Sequence, residues 1–348
     1  MLRAAYWLAL VFFAVLVLAK FDSVTGFTAL IRFGETWQAQ RLPVLAKVPI
    51  ATVPHSSGYD GQFYAQLALD PSLRDAAGLE KALDGPAYRA RRILVPAIAH
   101  VMGMGRPQLV LNLYALLNVA GWFWLAWALY RELGSADTVA FARWFGCMFS
   151  MGVLESVRQS LVDLPAMLLL LLAIRQWQAP RLARSGFCLA LGHLAKETNF
   201  LGSLALVAQP RLDFRRVGLL FVTAAPLAIW MTYVSSRFAT PAEGGWGNFT
   251  WPFVGAIFQV RLSAAEVLQG NLDSRHAFAL LAVAGLSVQA ISVWRRWLPG
   301  NPWWRIGVAY SVLLIFFSSW VWSGYWAAMR AVLPLTFAFN VLLPAGRA

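Results

Sequence analysis

Cysteine and histidine are scarce in this chain of 348 residues, which contains two cysteines and four histidines. Cys147 and Cys188 lie in apolar segments without paired spacing, so neither a disulfide framework nor a zinc knuckle is predicted. His100, His193 and His276 show no spacing typical of metal ligands. We therefore expect these five side chains to be structural.

Charged residues are also scarce, because Asp, Glu, Lys and Arg make up 13% of the chain while 59% of it is hydrophobic. A soluble protein of this length needs more polar surface, so the composition predicts a polytopic membrane protein. The net charge of +13 comes from short basic clusters between apolar runs, which is the distribution of the positive-inside rule. Nucleic-acid binding is therefore not expected, and membrane lipids are expected partners.

Apolar runs long enough to cross a bilayer, which takes about 20 helical residues, recur along the chain. We predict an all-α, polytopic membrane helix bundle that forms a single domain over residues 1–348. Its eight full spans are predicted at residues 4–19, 109–130, 138–154, 161–177, 217–235, 277–294, 306–322 and 327–343. The first run is expected to be a retained span, since Lys20 follows it without a small-residue cleavage site.

Basic loops orient these spans. Residues 131–136, 181–185, 211–216 and 295–305 are predicted to be cytoplasmic, as are both termini. Residues 93–104 are too short to span and are predicted to form a helix along the outer membrane surface. Residues 21–107 then form a long first external loop with two juxtamembrane helices, the other of which begins near Asp60. Residues 237–275 form a second external loop.

The stretch 187–208 is flanked by basic residues on both sides. A single crossing would place one of the two basic flanks outside, against the positive-inside rule. We predict two short helices that meet near Lys196 and Glu197, either as a re-entrant hairpin or as two tilted spans with a short turn. In both versions these two side chains lie on the external side. The short pair brings the bundle to nine or ten segments.

Ionisable side chains within the predicted spans define the candidate site. Each costs about 2.5 to 3.5 kcal/mol at the middle of a membrane helix, so such groups usually face a cavity or a partner. Those near the predicted external ends of their spans are Glu155, Arg158, Asp163, Lys196, Glu197 and Arg330. Their shared side predicts one external site, although charges near span ends can also be interfacial anchors.

Asp60 lies on the same predicted side, between Gly58 and Gly61. These glycines let a ligand approach its carboxylate closely. Asp60 could also be the N-cap of the helix that follows, and the two roles are compatible. His55 could reach the same site.

Arginines on either side of the predicted site could bind an anion. Arg89, Arg91 and Arg92 could hold a phosphate leaving group, or they could simply anchor the loop to lipid headgroups. Arg330 has small neighbours that leave it room to reach inward. Its alternative role is an ion pair with Asp163 or Glu155.

Two stretches of the first loop resemble a known pattern, namely Tyr59-Asp60-Gly61-Gln62-Phe63-Tyr64 and Tyr88-Arg89-Ala90-Arg91-Arg92-Ile93-Leu94-Val95-Pro96. They resemble the first external loop of bacterial multi-pass proteins in the GT-C glycosyltransferase superfamily. The segment Leu194-Ala195-Lys196-Glu197-Thr198 is similar to an internal stretch of the same proteins. The resemblance implies an inverting glycosyltransferase of the bacterial inner membrane. Such an enzyme transfers a sugar from a polyprenyl-phosphate carrier to a periplasmic glycan, lipid or protein.

The resemblance also implies roles for individual side chains. Asp60 would be the catalytic base or a ligand to a divalent cation such as Mg²⁺ or Mn²⁺, and Asp163 would be the second catalytic acidic residue. Substrate-binding or phosphate-binding roles fall to Tyr59, Gln62, Tyr64, Arg89, Arg92, Lys196, Glu197 and Arg330. The first loop lacks a paired Asp-x-Asp or Glu-x-Asp motif, so the need for a metal stays open. The alternatives are a transporter or flippase of a lipid-linked saccharide, or a non-catalytic member of an envelope assembly.

Overall fold

The computed structural model describes residues 2–134, 137–208, 214–238, 245–270 and 274–344, and these are mostly helical. Two short strands, Phe33–Gly34 and Thr52–Val53, pair in parallel within the predicted first loop. The all-α prediction is confirmed. Parts of the predicted loops 131–136, 211–216 and 237–275 lie outside the described residues, as do both chain ends at position 1 and positions 345–348.

The helices have the following bounds. In the first half of the chain they are α1 (Leu2–Leu18), α2 (Gly61–Leu69), α3 (Ala76–Ala82), α4 (Pro86–Ala90), α5 (Leu94–Met102), α6 (Pro107–Leu133), α7 (Thr138–Met148), α8 (Met151–Arg158) and α9 (Asp163–Gln178). In the second half they are α10 (Leu182–Ala195), α11 (Asn199–Val207), α12 (Phe214–Arg237), α13 (Val254–Leu268), α14 (Ser274–Arg295), α15 (Pro302–Ile315), α16 (Ser319–Ser323), α17 (Tyr325–Ala331) and α18 (Leu333–Val341). Short 3₁₀ turns occur at Thr28–Leu30, Glu35–Gln40, Pro43–Lys47 and Trp246–Asn248.

Three helices within the described ranges, α6, α12 and α14, are long and apolar enough to cross a membrane. They coincide with the predicted spans 109–130, 217–235 and 277–294. Helix α1 is apolar but shorter, at 17 residues. Most side chains of α12 point away from the rest of the protein, with Thr223 and Val234 as its buried residues. The structure thus supports a largely helical protein with three candidate spans, where eight were predicted.

Two of the other predicted spans are broken by local chemistry. Residues 138–154 divide between α7 and α8, where the Ser150 hydroxyl donates to the carbonyl of Cys147 at 2.8 Å. A serine that bonds nearby backbone in this way competes with helix continuation. Residues 327–343 divide at Val332, between α17 and α18. Pro334 follows two residues later and has no amide proton with which to extend α17.

The predicted span 306–322 is broken by a contact that is distant in sequence. Helix α15 ends at Ile315, whose carbonyl accepts from the backbone amide of Phe253 at 2.6 Å. The next carbonyl, that of Phe316, accepts from the amide of Thr250 at 2.8 Å. The predicted second loop therefore binds the carbonyl groups that a continuing helix would use. The same region contains α13, where the sequence predicted a loop.

The short helical pair predicted around Lys196 is present, because α10 ends at Ala195 and α11 begins at Asn199. The break is fixed by tertiary hydrogen bonds. The Tyr310 hydroxyl donates to the carbonyl of Thr198 at 2.8 Å. At the other end of α11, the Arg305 guanidinium donates to the carbonyls of its last turn, which lack partners within the helix.

Helix α2 positions Asp60 and is buried along most of its length. A Cβ atom at Gly61 would lie 2.0 Å from the carbonyl oxygen of Gln159. Only glycine permits this approach, so α2 lies directly against the connection between α8 and α9. A helix is also present within the predicted range 93–104, as α5, which packs against α2 and α6.

Candidate functional site

A cavity of about 520 Å³ lies where the start of α2, the helix α4, the break between α10 and α11, and the helix α17 meet. Eight of the ten predicted site residues line it: Tyr59, Asp60, Arg89, Arg92, Asp163, Lys196, Glu197 and Arg330. The fold therefore brings together side chains that lie at widely separated positions in the sequence.

Asp60 lies in the centre of an ionic network. One carboxylate oxygen accepts from Nη2 of Arg89 at 2.8 Å, and the other accepts from Nη2 of Arg330. Asp60 is the N-cap residue of α2, as predicted, but its side chain makes no capping hydrogen bond to the first turn. Burial raises the pKa of Asp60, but the charges and hydrogen bonds of the two guanidinium groups outweigh burial and hold the pKa well below its usual range. In this state Asp60 is ionised and both of its oxygens are engaged.

Asp163 is the most buried carboxylate of the cavity. Its Oδ1 accepts from Nζ of Lys196 at 2.6 Å, and its Oδ2 accepts from Nη1 of Arg330 at 3.2 Å. Arg330 therefore pairs with Asp163, which was its predicted alternative role, and with Asp60 as well. The charges alternate along one continuous line: Asp60, Arg330, Asp163 and Lys196. We call these four residues the ionic chain.

A second pair lies beside the ionic chain. The guanidinium of Arg92 binds both oxygens of Glu197, with Nε and Nη2 distances of 2.9 and 2.7 Å. Burial raises the pKa of Glu197, but the charge of Arg92 and its hydrogen bonds lower it overall to about 2. The buried hydroxyl of Tyr64 accepts from Arg92 at 2.6 Å and from Arg89 at 3.3 Å. Tyr64 therefore holds both arginines from behind the cavity rather than lining it.

Several predicted candidates lie elsewhere. Gln62 is buried behind the cavity, where it accepts from the amide of Gly34 and donates to the carbonyl of Ser57. His55 is exposed and lies 3.7 Å from the carboxylate of Glu35. Its predicted reach toward Asp60 is therefore wrong. Glu155 pairs with Arg158 at 3.1 Å on α8, apart from the lining residues.

Two residues in or beside the cavity were missed in the sequence. Tyr88 lies under the guanidinium of Arg92, 4.6 Å from its Cζ atom, and its hydroxyl accepts from Arg92 at 2.7 Å. Asp84 binds Arg89 through two contacts of 2.7 Å. Tyr88 directly precedes Arg89 in the sequence, and this position could have indicated that it is a cavity residue. Asp84 gave no such signal, because its role depends on the turn before α4.

The second predicted loop and the last helices supply the opposite wall. They contribute Asn248, Phe249, Arg275, Phe317, Trp320, Tyr325 and Trp326, among others. The ring of Trp326 meets the edge of Tyr59 at 6.5 Å, and Tyr59 in turn lies 5.3 Å from the Cζ atom of Arg330. Burial raises the pKa of Tyr59 to about 12. An uninterrupted span at 306–322 would not have placed these aromatic residues here.

The balance of charge favours an anionic ligand. The lining contains five cationic side chains and three carboxylates. The carboxylate of Asp84 binds Arg89 from beside the cavity, which leaves a formal excess of one positive charge. In addition, the Nε atom of Arg330 is buried and has no hydrogen-bond partner in the part of the chain that the structure describes. Arginine forks match phosphate oxygens in geometry as well as charge. The cavity can therefore bind a phosphate-like group.

The same donor set does not fit a divalent cation. Within the described ranges, no group of three or more His, Cys, Asp or Glu residues could hold a metal ion. Both oxygens of Asp60 are bound by guanidinium groups, so a metal at that carboxylate would have to displace Arg89 or Arg330. We assign no chemical step to a metal.

The fold and the cavity define a largely helical protein with three candidate membrane spans and a buried, cation-rich site. Comparison with known proteins adds no relative, because no family model, no curated protein and no solved structure matches this chain. Any functional assignment therefore depends on the chemistry of the cavity and on the short motifs that form it.

Proposed function

We propose that this protein is an inverting glycosyltransferase of the bacterial inner membrane. It would transfer a sugar from a polyprenyl-phosphate carrier to a glycan, lipid or protein on the periplasmic side. The observation that carries the proposal is the convergence of Arg89, Arg92, Lys196 and Arg330 on paired carboxylates in one cavity. The resemblance of residues 59–64, 88–96 and 194–198 to the GT-C superfamily supports the same activity.

The proposed reaction forms one carbon–oxygen bond, breaks another and transfers one proton. An acceptor hydroxyl attacks the anomeric carbon of the sugar, and the bond from that carbon to the phosphate oxygen breaks. The lipid phosphate leaves with the electron pair, and the hydroxyl proton passes to Asp60. Positive charge around the departing phosphate lowers the barrier because negative charge develops there.

Asp60 cannot accept a proton readily while two guanidinium groups hold it, because a good general base has a pKa nearer to the working pH. In the proposed cycle the donor phosphate draws Arg330 away from Asp60. This movement places positive charge on the leaving group, and it also raises the pKa of the carboxylate. Asp163 and Lys196 remain paired and keep Arg330 near the phosphate.

The apolar part of the cavity suits an amphiphilic donor. Leu313, Phe317 and Val321 line the cavity alongside the cationic residues. Trp320, at the same edge, is 78% exposed. A prenyl chain could lie on this side while its phosphate reaches the arginines. The proposal also includes two of the sequence predictions. The other predicted spans cross the membrane, and the cavity opens on its external side.

The proposal is tested by turnover in liposomes that contain the purified protein and polyprenyl-phosphate sugars. Asp60→Asn should reduce transfer at least a hundredfold, which is the low end for loss of a general base. The matched control is Glu35→Gln, which changes an exposed carboxylate of the same predicted loop, and it should leave transfer unchanged. Near-normal transfer by Asp60→Asn at equal expression would sink the catalytic assignment of Asp60.

A second candidate function is transport of a lipid-linked saccharide. The ionic chain favours it, because alternating charges that cross a cavity can pass a charged headgroup between partners. Proteoliposomes distinguish the two functions. A transporter moves the labelled lipid across the membrane without a new covalent product, whereas the enzyme releases polyprenyl phosphate and a glycosylated acceptor.

A further inference from the structure

A second cavity, of about 260 Å³, lies between α1 and the last turns of α6. Its wall is largely aromatic, and its lining consists of Arg3, Tyr6, Trp7, Leu10, Phe123, Ala126, Trp127, Tyr130 and Trp144. Trp7 and Trp127 flank it and are 68% and 55% exposed. The cavity is therefore open along an apolar face rather than enclosed within the bundle.

The second cavity lies at the opposite end of α6 from the first loop. Asn112, near the start of α6, binds the amide of Phe27 in that loop, whereas Tyr130 lines the second cavity. The 18 residue steps from Asn112 to Tyr130 span about 27 Å of helix, which approaches the thickness of a hydrocarbon core. With the candidate span α6 crossing the membrane, this cavity would lie at the opposite membrane boundary.

Two polar side chains of this cavity lack partners. The hydroxyl of Tyr6 is buried and has no hydrogen-bond partner among the described residues. The rings of Tyr130, Phe141 and Trp144 pack edge-on around Tyr6 at 5.0 Å each, which fixes its orientation. Arg3 is exposed and makes no ion pair within the described part of the chain.

We infer that this cavity binds an anionic phospholipid of the membrane. Arg3 and the hydroxyl of Tyr6 would contact the phosphate, and an acyl chain would lie along Leu10, Phe123 and Trp127. Tryptophan at a membrane boundary packs against lipid in this way, and an unpaired arginine there attracts anionic headgroups. The inference does not depend on the proposed glycosyl transfer.

The test measures binding of phosphatidylglycerol and phosphatidylcholine with identical acyl chains to the purified full chain in neutral detergent. Native mass spectrometry gives the affinities. The wild-type protein should prefer phosphatidylglycerol, and Arg3→Gln should weaken its binding about fivefold, as expected for one basic residue at a membrane surface. Equal affinity of the wild-type protein for the two lipids would overturn the inference.

Arg184→Gln is the control for nonspecific attraction. Arg184 is exposed in the first turn of α10, directly after α9. The last turn of α9 lies at the same end of the bundle, because Arg175 pairs with Glu132 at the end of α6. Arg184→Gln should leave phosphatidylglycerol binding unchanged. If Arg184→Gln and Arg3→Gln weakened phosphatidylglycerol binding equally, the effect would come from overall charge rather than from this cavity. That result would overturn the site.

Tyr6→Phe separates a ligand contact from a structural role. If the hydroxyl has no partner in the protein, its removal should not lower the thermal unfolding midpoint without lipid. It should reduce the rise in that midpoint that phosphatidylglycerol produces, since a ligand that binds the folded state stabilises it. A lower midpoint without lipid, or an unchanged lipid effect, would overturn the assignment of Tyr6.

Discussion

The ion pair between Asp163 and Lys196 can be tested through a double-mutant cycle of unfolding. The two side chains are 1% and 9% exposed, and their charged atoms lie 2.6 Å apart. Asp163→Asn leaves the Lys196 ammonium in the cavity without this carboxylate. Breaking a buried pair in this way costs about 3 to 5 kcal/mol of unfolding free energy, because one charge remains uncompensated.

Removing Arg330 should cost less, although Arg330 makes two of the ion pairs. In Arg330→Gln, Asp60 keeps Arg89 at 2.8 Å and Asp163 keeps Lys196. No carboxylate is left unpaired, so we expect a loss of about 1 to 3 kcal/mol, the scale of hydrogen bonds to charged groups. The structure therefore predicts that Asp163→Asn is more destabilising than Arg330→Gln.

The double variant Asp163→Asn with Lys196→Met removes both charges of the pair. It should be more stable than Asp163→Asn alone by about 1 to 3 kcal/mol, since the buried ammonium is gone. The measurement is the free energy of unfolding in detergent, by denaturant titration of all four proteins of the cycle. Additive losses in the double variant would show that the two side chains do not interact, and would refute the ionic chain.

Three further results are expected. Glu197 has a pKa of about 2 against its ordinary 4.5, so its contribution to stability is complete above about pH 5 and is lost as the pH falls toward 2; Glu197→Gln should remove that acid-sensitive part of the denaturant midpoint. Arg305 binds the carbonyls at the end of α11 at 2.6 and 3.3 Å, so Arg305→Gln should speed hydrogen exchange of the amides in that turn about tenfold or more. The control Arg296→Gln should leave this exchange unchanged. Gly61→Ala should abolish or sharply reduce folded protein in size-exclusion profiles because its Cβ would meet backbone at 2.0 Å, while Gly85→Ala, with 3.6 Å to its nearest atom, should behave as wild type.

The sequence located the candidate site better than it located the helices around it. Asp163, Lys196 and Arg330 are charges in apolar segments, and such groups must find partners, so their convergence was predictable. The predicted role of Gln62 came from the resemblance, and that of His55 from its closeness in sequence to Asp60. Neither basis determines where a side chain points. Gln62 turned toward the backbone of its own loop instead.

Helix breaks were harder to predict because hydropathy measures composition rather than backbone hydrogen bonding. The break at Val332 has a local cause in Pro334 and was accessible from sequence. The break after Ile315 was not, since it depends on amides of Thr250 and Phe253 more than 60 residues earlier. The aromatic wall of the cavity follows from that break, and so the residues around Trp326 were missed.

The contact between Arg330 and Asp60 joins positions 270 residues apart. A ribosome makes the chain from its amino end, so Asp60 and Asp163 are completed long before the helix that carries Arg330. Until α17 has been made, the two aspartates lack the group that links them, and closing so long a loop is entropically slow. The cavity is therefore among the last parts of the protein to assemble, and a chain that stops short of α17 would lack the site even with every preceding helix in place.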